Sequence, residues 1–148
     1  MPAEFFIDVP NRLVCTYASG SLTYADALSH MERLSADPRF LGSFHQIIDF
    51  RDTTGTELTA EQVRELSRRP VYAPSSRRAF VMGTDVQFGL GRMFAAFREL
   101  EGEPNIRIVR DMPEALAWTR VTAEVAEAAF ARLRLVTDLK STLPGNSR

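Results

Sequence analysis

Residues 77–111 read RRAFVMGTDVQFGLGRMFAAFRELEGEPNIRIVRD, and this stretch leaves few folds open. The short apolar run 79–82 stops at Gly83, which is the length and boundary of a buried strand. Thr84 and Gln87 stand at capping-box spacing and predict a helix start. Val86, Leu90, Met93, Phe94, Phe97 and Leu100 then recur at spacings of three and four, so one stripe of that helix is expected to face a core. Gly102 suits the helix C-terminus, and Pro104 forbids continuation. Residues 106–109 (IRIV) resume an extended pattern. A strand–helix–strand of this length predicts parallel strands joined by a right-handed crossover.

The rest of the chain supplies partners for that unit. Residues 4–9 and 12–18 are β-prone runs around a Pro10-Asn11 turn and predict an antiparallel hairpin, the second run broken at Gly20-Ser21. Thr23 is placed to cap a helix over 24–35, with Ala27, Leu28, Met31 and Leu34 on one face, ended by Asp37-Pro38. Residues 44–50 read as a third strand, followed by a loop over 49–55. Thr59 and Gln62 form a second capping box for a helix to about Arg69, and Pro70 and Pro74 bracket a linker. Asp111, Pro113 and Glu114 open another helix, through Trp118. Thr122 is placed to cap a last one through Leu139, carrying Val125, Ala128, Ala129, Arg132, Leu133 and Val136. The order β-β-α-β-α-β-α-β-α-α predicts an α/β fold: a mostly parallel sheet of roughly four or five strands with flanking helices.

Length and composition suit one ordinary domain: 148 residues, 45% of them hydrophobic. A net charge of −1 supplies no bulk field for nucleic acid or a membrane surface. Cys15 is the single cysteine, which excludes an internal disulfide and any CxxC site. The opening MPAEFF has no basic n-region and no long apolar run, so no signal peptide is expected there, and no run approaches the roughly 20 apolar residues of a transmembrane span. The default expectation is a cytoplasmic protein with a disordered tail at 141–148.

Over residues 12–118 the chain resembles the SpoIIAA-like group, the STAS and SEC14-related bacterial proteins. The resemblance is carried, in order, by Leu34 with Asp37-Pro38-Arg39-Phe40, by Ile48-Asp49-Phe50-Arg51, by Arg77-Arg78-Ala79, by Phe88-Gly89-Leu90-Gly91-Arg92-Met93-Phe94, and by Val109-Arg110-Asp111 with Glu114-Ala115-Leu116-Ala117-Trp118. It implies a βα-superhelix over 1–119 and no assumed catalysis. Residues 120–140 form a helical extension, packed on the same domain or on a second subunit. STAS antagonists of anti-sigma factors carry a phosphorylated Asp-Ser at the helix after the third strand; here that region reads TGTELT, and Thr59, its nearest hydroxyl, is already used as a cap.

Candidate sites follow from the central helix. At about 100° per residue, Phe88, Arg92 and Ala95, with Gly91 beside them, point away from the predicted stripe. They form either a contact patch for a protein partner or a second copy, or a surface that the C-terminal extension covers. Gly89 and Gly91 each cost about 1 kcal/mol in a helix, which close approach of backbone or ligand would offset. Thr84 and Asp85 open the helix where amides attract anions, and Arg77 and Arg78, with Arg68 and Arg69, make a basic cluster that binds an anion or is a solvated face. Asp49 and Asp52 flank Arg51 at a strand end, either as Mg²⁺ ligands or neutralised by that arginine. His30 and His45 lack ligand spacing, and no P-loop, dinucleotide loop or serine-nucleophile signature is present. No metal or cofactor is expected. The leading expectation is a non-enzymatic regulatory domain that binds a protein partner or itself. The alternative is a small binding module for a lipid-like or anionic ligand near the central helix.

Overall fold

The computed structural model describes residues 3–142, the side chains of Thr56 and Ser141 excepted. Ten elements follow in the predicted order: β1 Ala3–Asp8, β2 Leu13–Leu22, α1 Tyr24–Ala36, β3 His45–Thr56, α2 Ala60–Ser67, β4 Arg78–Val81, α3 Asp85–Leu100, β5 Ile106–Val109, α4 Met112–Thr119 and α5 Ala123–Thr142. The strands form one sheet in the order β1-β2-β3-β4-β5. β1 is antiparallel to β2, and every later pairing is parallel.

Strand parity divides the molecule into two layers, because alternate side chains leave a strand on opposite faces. One face presents Leu13, Cys15, Tyr17, Ile47, Ala79, Val81 and Val109, and α4 and α5 cover it with Ala115, Ala126, Ala129, Phe130 and Leu133. The other presents Ile48, Phe80, Met82 and Ile106, and the three crossover helices α1, α2 and α3 cover it. Crossovers that step in one direction along a sheet with one hand must all lie on one side, as these do.

Three sequence expectations are corrected. The inward stripe of α3 is Gln87, Gly91, Phe94 and Arg98, whereas Val86 and Leu100 are 64% and 82% exposed. Hydrophobicity misplaces the stripe because its centre is a glycine and two polar residues with buried partners. At Gly91 the helix comes so close to the sheet that an added Cβ would lie 2.8 Å from Met82 Cε and 3.2 Å from Ile108 Cδ1. Leu90, Met93 and Phe97, and also Phe88 and Ala95, flank that centre and pack partly buried against the same core.

The second correction concerns β2 and β3. Neither stops where turn residues suggested: β2 runs through Gly20-Ser21, and β3 runs through the supposed loop to Thr56. Ser19, Gly20 and Leu22 pair with Asp52, Thr53 and Thr56, with register shifts between Tyr17 and Ser19 and between Gly20 and Leu22. Gly20 and Gly55 take φ of +69° and +64°, values at which a glycine carries no steric penalty. The β-branched threonines of this segment outweigh its turn-forming glycine. β4 pairs only with residues 46–49 of β3, so a two-stranded extension projects past the rest of the sheet.

The third correction is α5. It lies on its own sheet, with Ala126, Ala129, Phe130 and Leu133 buried; Ala128 and Arg132, assigned to the buried stripe from sequence, are exposed. Arg132 stacks over Phe6 of β1 at 5.2 Å instead. Residues 141 and 142 belong to α5, and the remainder of the tail expected to be disordered, 143–148, lies outside the described residues.

Candidate functional site

The residues singled out on α3 do not form one outward patch. Gly91 is buried, Phe88 and Ala95 are half-buried against the core, and Arg92 alone of the four is exposed. Phe88 is covered by Arg110, whose guanidinium sits 4.3 Å above its ring and pairs with Asp85 at 2.8 Å. The C-terminal helix, the other cover considered, is on the opposite sheet face. At the start of α3, Thr84 Oγ1 accepts from the Gln87 amide, but the box is half-made: Gln87 Oε1 accepts from Gly83 N at 2.7 Å and its Nε2 donates to Thr53 Oγ1 at 2.8 Å. That glutamine ties the helix start to the two-stranded extension.

The arginine cluster also separates. Arg68 pairs with Glu65 in solvent. Arg77 lies on the α4 side, 4.6 Å over Trp118, with Arg107 at 4.3 Å from the same ring. Arg78, the next residue, points to the opposite face and is 5% exposed. Asp49 accepts from Arg51 at both carboxylate oxygens and from Arg134 Nη2 at 3.2 Å, while Asp52 accepts from the Tyr17 hydroxyl. Burial, and then the bond to Asp52, push Tyr17 up to about 12. Arginine therefore occupies the Asp49 carboxylate, and no group of three His, Cys, Asp or Glu suited to a metal occurs among the described residues.

The feature that hydrophobic periodicity missed is a cavity of about 150 Å³ between the sheet and α1, α2 and α3. Its wall is almost entirely carbon: Ala18, Ile48, Phe50 and Phe80 from the strands, Ala27 and Met31 from α1, Val63 and Leu66 from α2, Leu90 and Phe94 from α3. Gly55 is its one exposed lining residue among those described, and the half-buried Leu22 and Leu58 stand with it. The mouth is therefore at the two-stranded extension.

The opposite end is polar. Arg78 donates from Nε to Gln46 Oε1 at 3.0 Å and from Nη1 to both oxygens of Glu103, at 3.2 and 3.0 Å. Arg98 donates to the same carboxylate at 2.8 Å and to Ser67 O at 2.7 Å. From Gln46 the chain continues through Thr16 to His30, each step 3.5 Å long. Tyr72, Phe80 and Phe94 box the Arg78 guanidinium, with ring centres 4.2, 5.3 and 5.8 Å away. His30 Nδ1 and Tyr72 Oη are buried without a hydrogen-bond partner. Burial, reinforced by Arg33 and Arg78, lowers His30 to about 4, so its ring is neutral at neutral pH. Burial likewise raises the Tyr72 phenol far above its ordinary value.

Neither the family models nor the curated proteins contain a match to this chain. Among solved structures, the chain is similar to an uncharacterised protein of the DUF3478 family with a SpoIIAA-like fold from Shewanella loihica PV-4. The identity is 17% and the TM-score 0.53, over 79% of this chain and 93% of that one. The fold is SpoIIAA-like, as the resemblance in residues 12–118 implied.

Proposed function

We propose that this SpoIIAA-like domain is a binding module for a small, largely apolar molecule held between the sheet and helices α1–α3. The cavity carries this reading. An unfilled apolar volume of this size forgoes roughly 3–4 kcal/mol of packing at about 24 cal/mol per Å³. Protein interiors are close-packed as a rule, so a guest that fills the space recovers contacts that the chain alone does not make. About 150 Å³ is enough for a benzene-sized molecule. The chemistry proposed is binding alone: Gln46, Arg78, Glu103 and Arg98 are hydrogen-bonded to one another at the polar end, and no reaction is assigned to them. Docking of a protein partner through α3 has less support: of the four residues proposed for it, Gly91 is buried, Phe88 and Ala95 are half-buried, and only Arg92 is exposed.

Native mass spectrometry of freshly purified protein, followed by thermal melting with an apolar ligand series, tests this. A filling ligand at about 100-fold excess over its Kd is expected to raise Tm by several degrees. Ala27→Phe, which plugs the cavity from α1, is expected to lose both the bound mass and the shift. Absence of any shift in the wild type, with Ala27→Phe binding no differently, would refute the reading.

A further inference from the structure

Resting on that cavity reading, we infer that the guest is a monocarboxylate: an apolar body with one anionic head seated on Arg78. Three observations carry it. First, the buried polar cluster is unbalanced: Arg78 and Arg98 share the single carboxylate of Glu103, leaving one positive charge in excess among residues at most 5% exposed. A desolvated charge without a partner is costly, and a nearby anion removes that cost. Second, Arg78 is the one charged side chain lining the cavity among the described residues, and no Asp or Glu lines it. Third, that guanidinium is incompletely used. Its Nε and Nη1 are committed to Gln46 and Glu103, and Nη2 makes no hydrogen bond among the described residues.

The two groups orphaned nearby mark the same end. His30 Nδ1 and Tyr72 Oη have no partners; the Tyr72 ring lies against the Arg78 guanidinium, and His30 reaches it through Thr16 and Gln46. A cationic head is disfavoured there by two arginines, and a neutral head leaves the excess charge standing. A carboxylate on an apolar body would place its head at Arg78 and its chain among the carbon-lined walls toward the end at Leu22, Gly55 and Leu58. A doubly charged head, such as a phosphate monoester, would exceed the one unpaired positive charge.

The test compares heads on one chain by calorimetry with the full-length protein at neutral pH. Octanoate is expected to bind about tenfold or more tighter than octanol, the worth of one charge-assisted hydrogen bond, and octylamine not to bind. Octanol binding as well as octanoate would overturn the carboxylate assignment while the cavity reading stands; binding by none of the three would refute both. Arg78→Gln is expected to bring octanoate down to the affinity of octanol and to leave octanol unchanged. Octanoate bound undiminished by a folded Arg78→Gln protein would overturn the assignment. If that variant does not fold, the wild type suffices: carboxyl-labelled octanoate is followed by carbon NMR through a pH titration. The bound head is expected to titrate below the free acid, as a carboxylate beside an arginine must. Titration at or above the free value would overturn the proposal.

Discussion

His30 shows how a residue with a plain sequence context acquires a thermodynamic role. Its folded pKa is about 4, depressed by burial and by Arg33 and Arg78, against an ordinary 6.5. Between those values the unfolded chain binds the proton and the folded chain does not. Stability from this group is therefore full above pH 6.5 and is lost as pH falls toward 4, by up to about 3 kcal/mol. Urea midpoints at neutral and acidic pH should diverge more for the wild type than for His30→Gln. Glu103 is the second test at this scale. Its 1%-exposed carboxylate holds Arg78 and Arg98, so Glu103→Ala should cost about 3–5 kcal/mol in chemical denaturation, leaving two buried cations facing each other. Arg98 and Glu103 are five residues apart around the end of α3, but Arg78 meets Glu103 only through the sheet and that helix end. One signal was nonetheless present. Arg78 shares strand parity with Phe80 and Met82, and Gln46 shares it with Ile48 and Phe50, so polar residues stood in register with the apolar face.

At the scale of elements, the kind and order of every strand and helix could be read from periodicity and caps. Thr23, Thr59, Thr84 and Asp111 all accept at the predicted helix starts. The azimuth of α3 could not be read, because hydrophobic counting gives no weight to a glycine that a close approach requires. The two helix glycines make this measurable. An added Cβ at Gly89 meets nothing within 4 Å, so Gly89→Ala should stabilise the protein by about 0.5–1 kcal/mol through helix propensity alone. At Gly91 the same atom would crowd Met82 and Ile108, and Gly91→Val should cost about 1–3 kcal/mol from overpacking. Thermal midpoints of the two variants should move in opposite directions. The structure shows no close neighbour that explains why Gly89 is a glycine.

For the molecule as a whole, the two sheet faces are covered differently. On the α4–α5 face Phe130, Leu133 and small alanines pack against the sheet, and truncation after Thr119 would uncover Leu13, Cys15 and Tyr17. Such a chain should aggregate or show molten near-ultraviolet circular dichroism instead of yielding a folded monomer. Sequence alone could not say which sheet the last helix covers, since an apolar stripe carries no address. The opposite face keeps its spare volume, and access to it runs past residues 19–22 and 53–56. Only two strands reach that far, joined by a ladder that twice loses register. The doorway is thus framed by the least buttressed backbone of the sheet. Amide exchange there should outpace that of residues 13–17 and 46–49, and should slow when a guest occupies the interior. A protein built this way would admit its cargo by loosening one hydrogen-bonded ribbon, with its helices held in place.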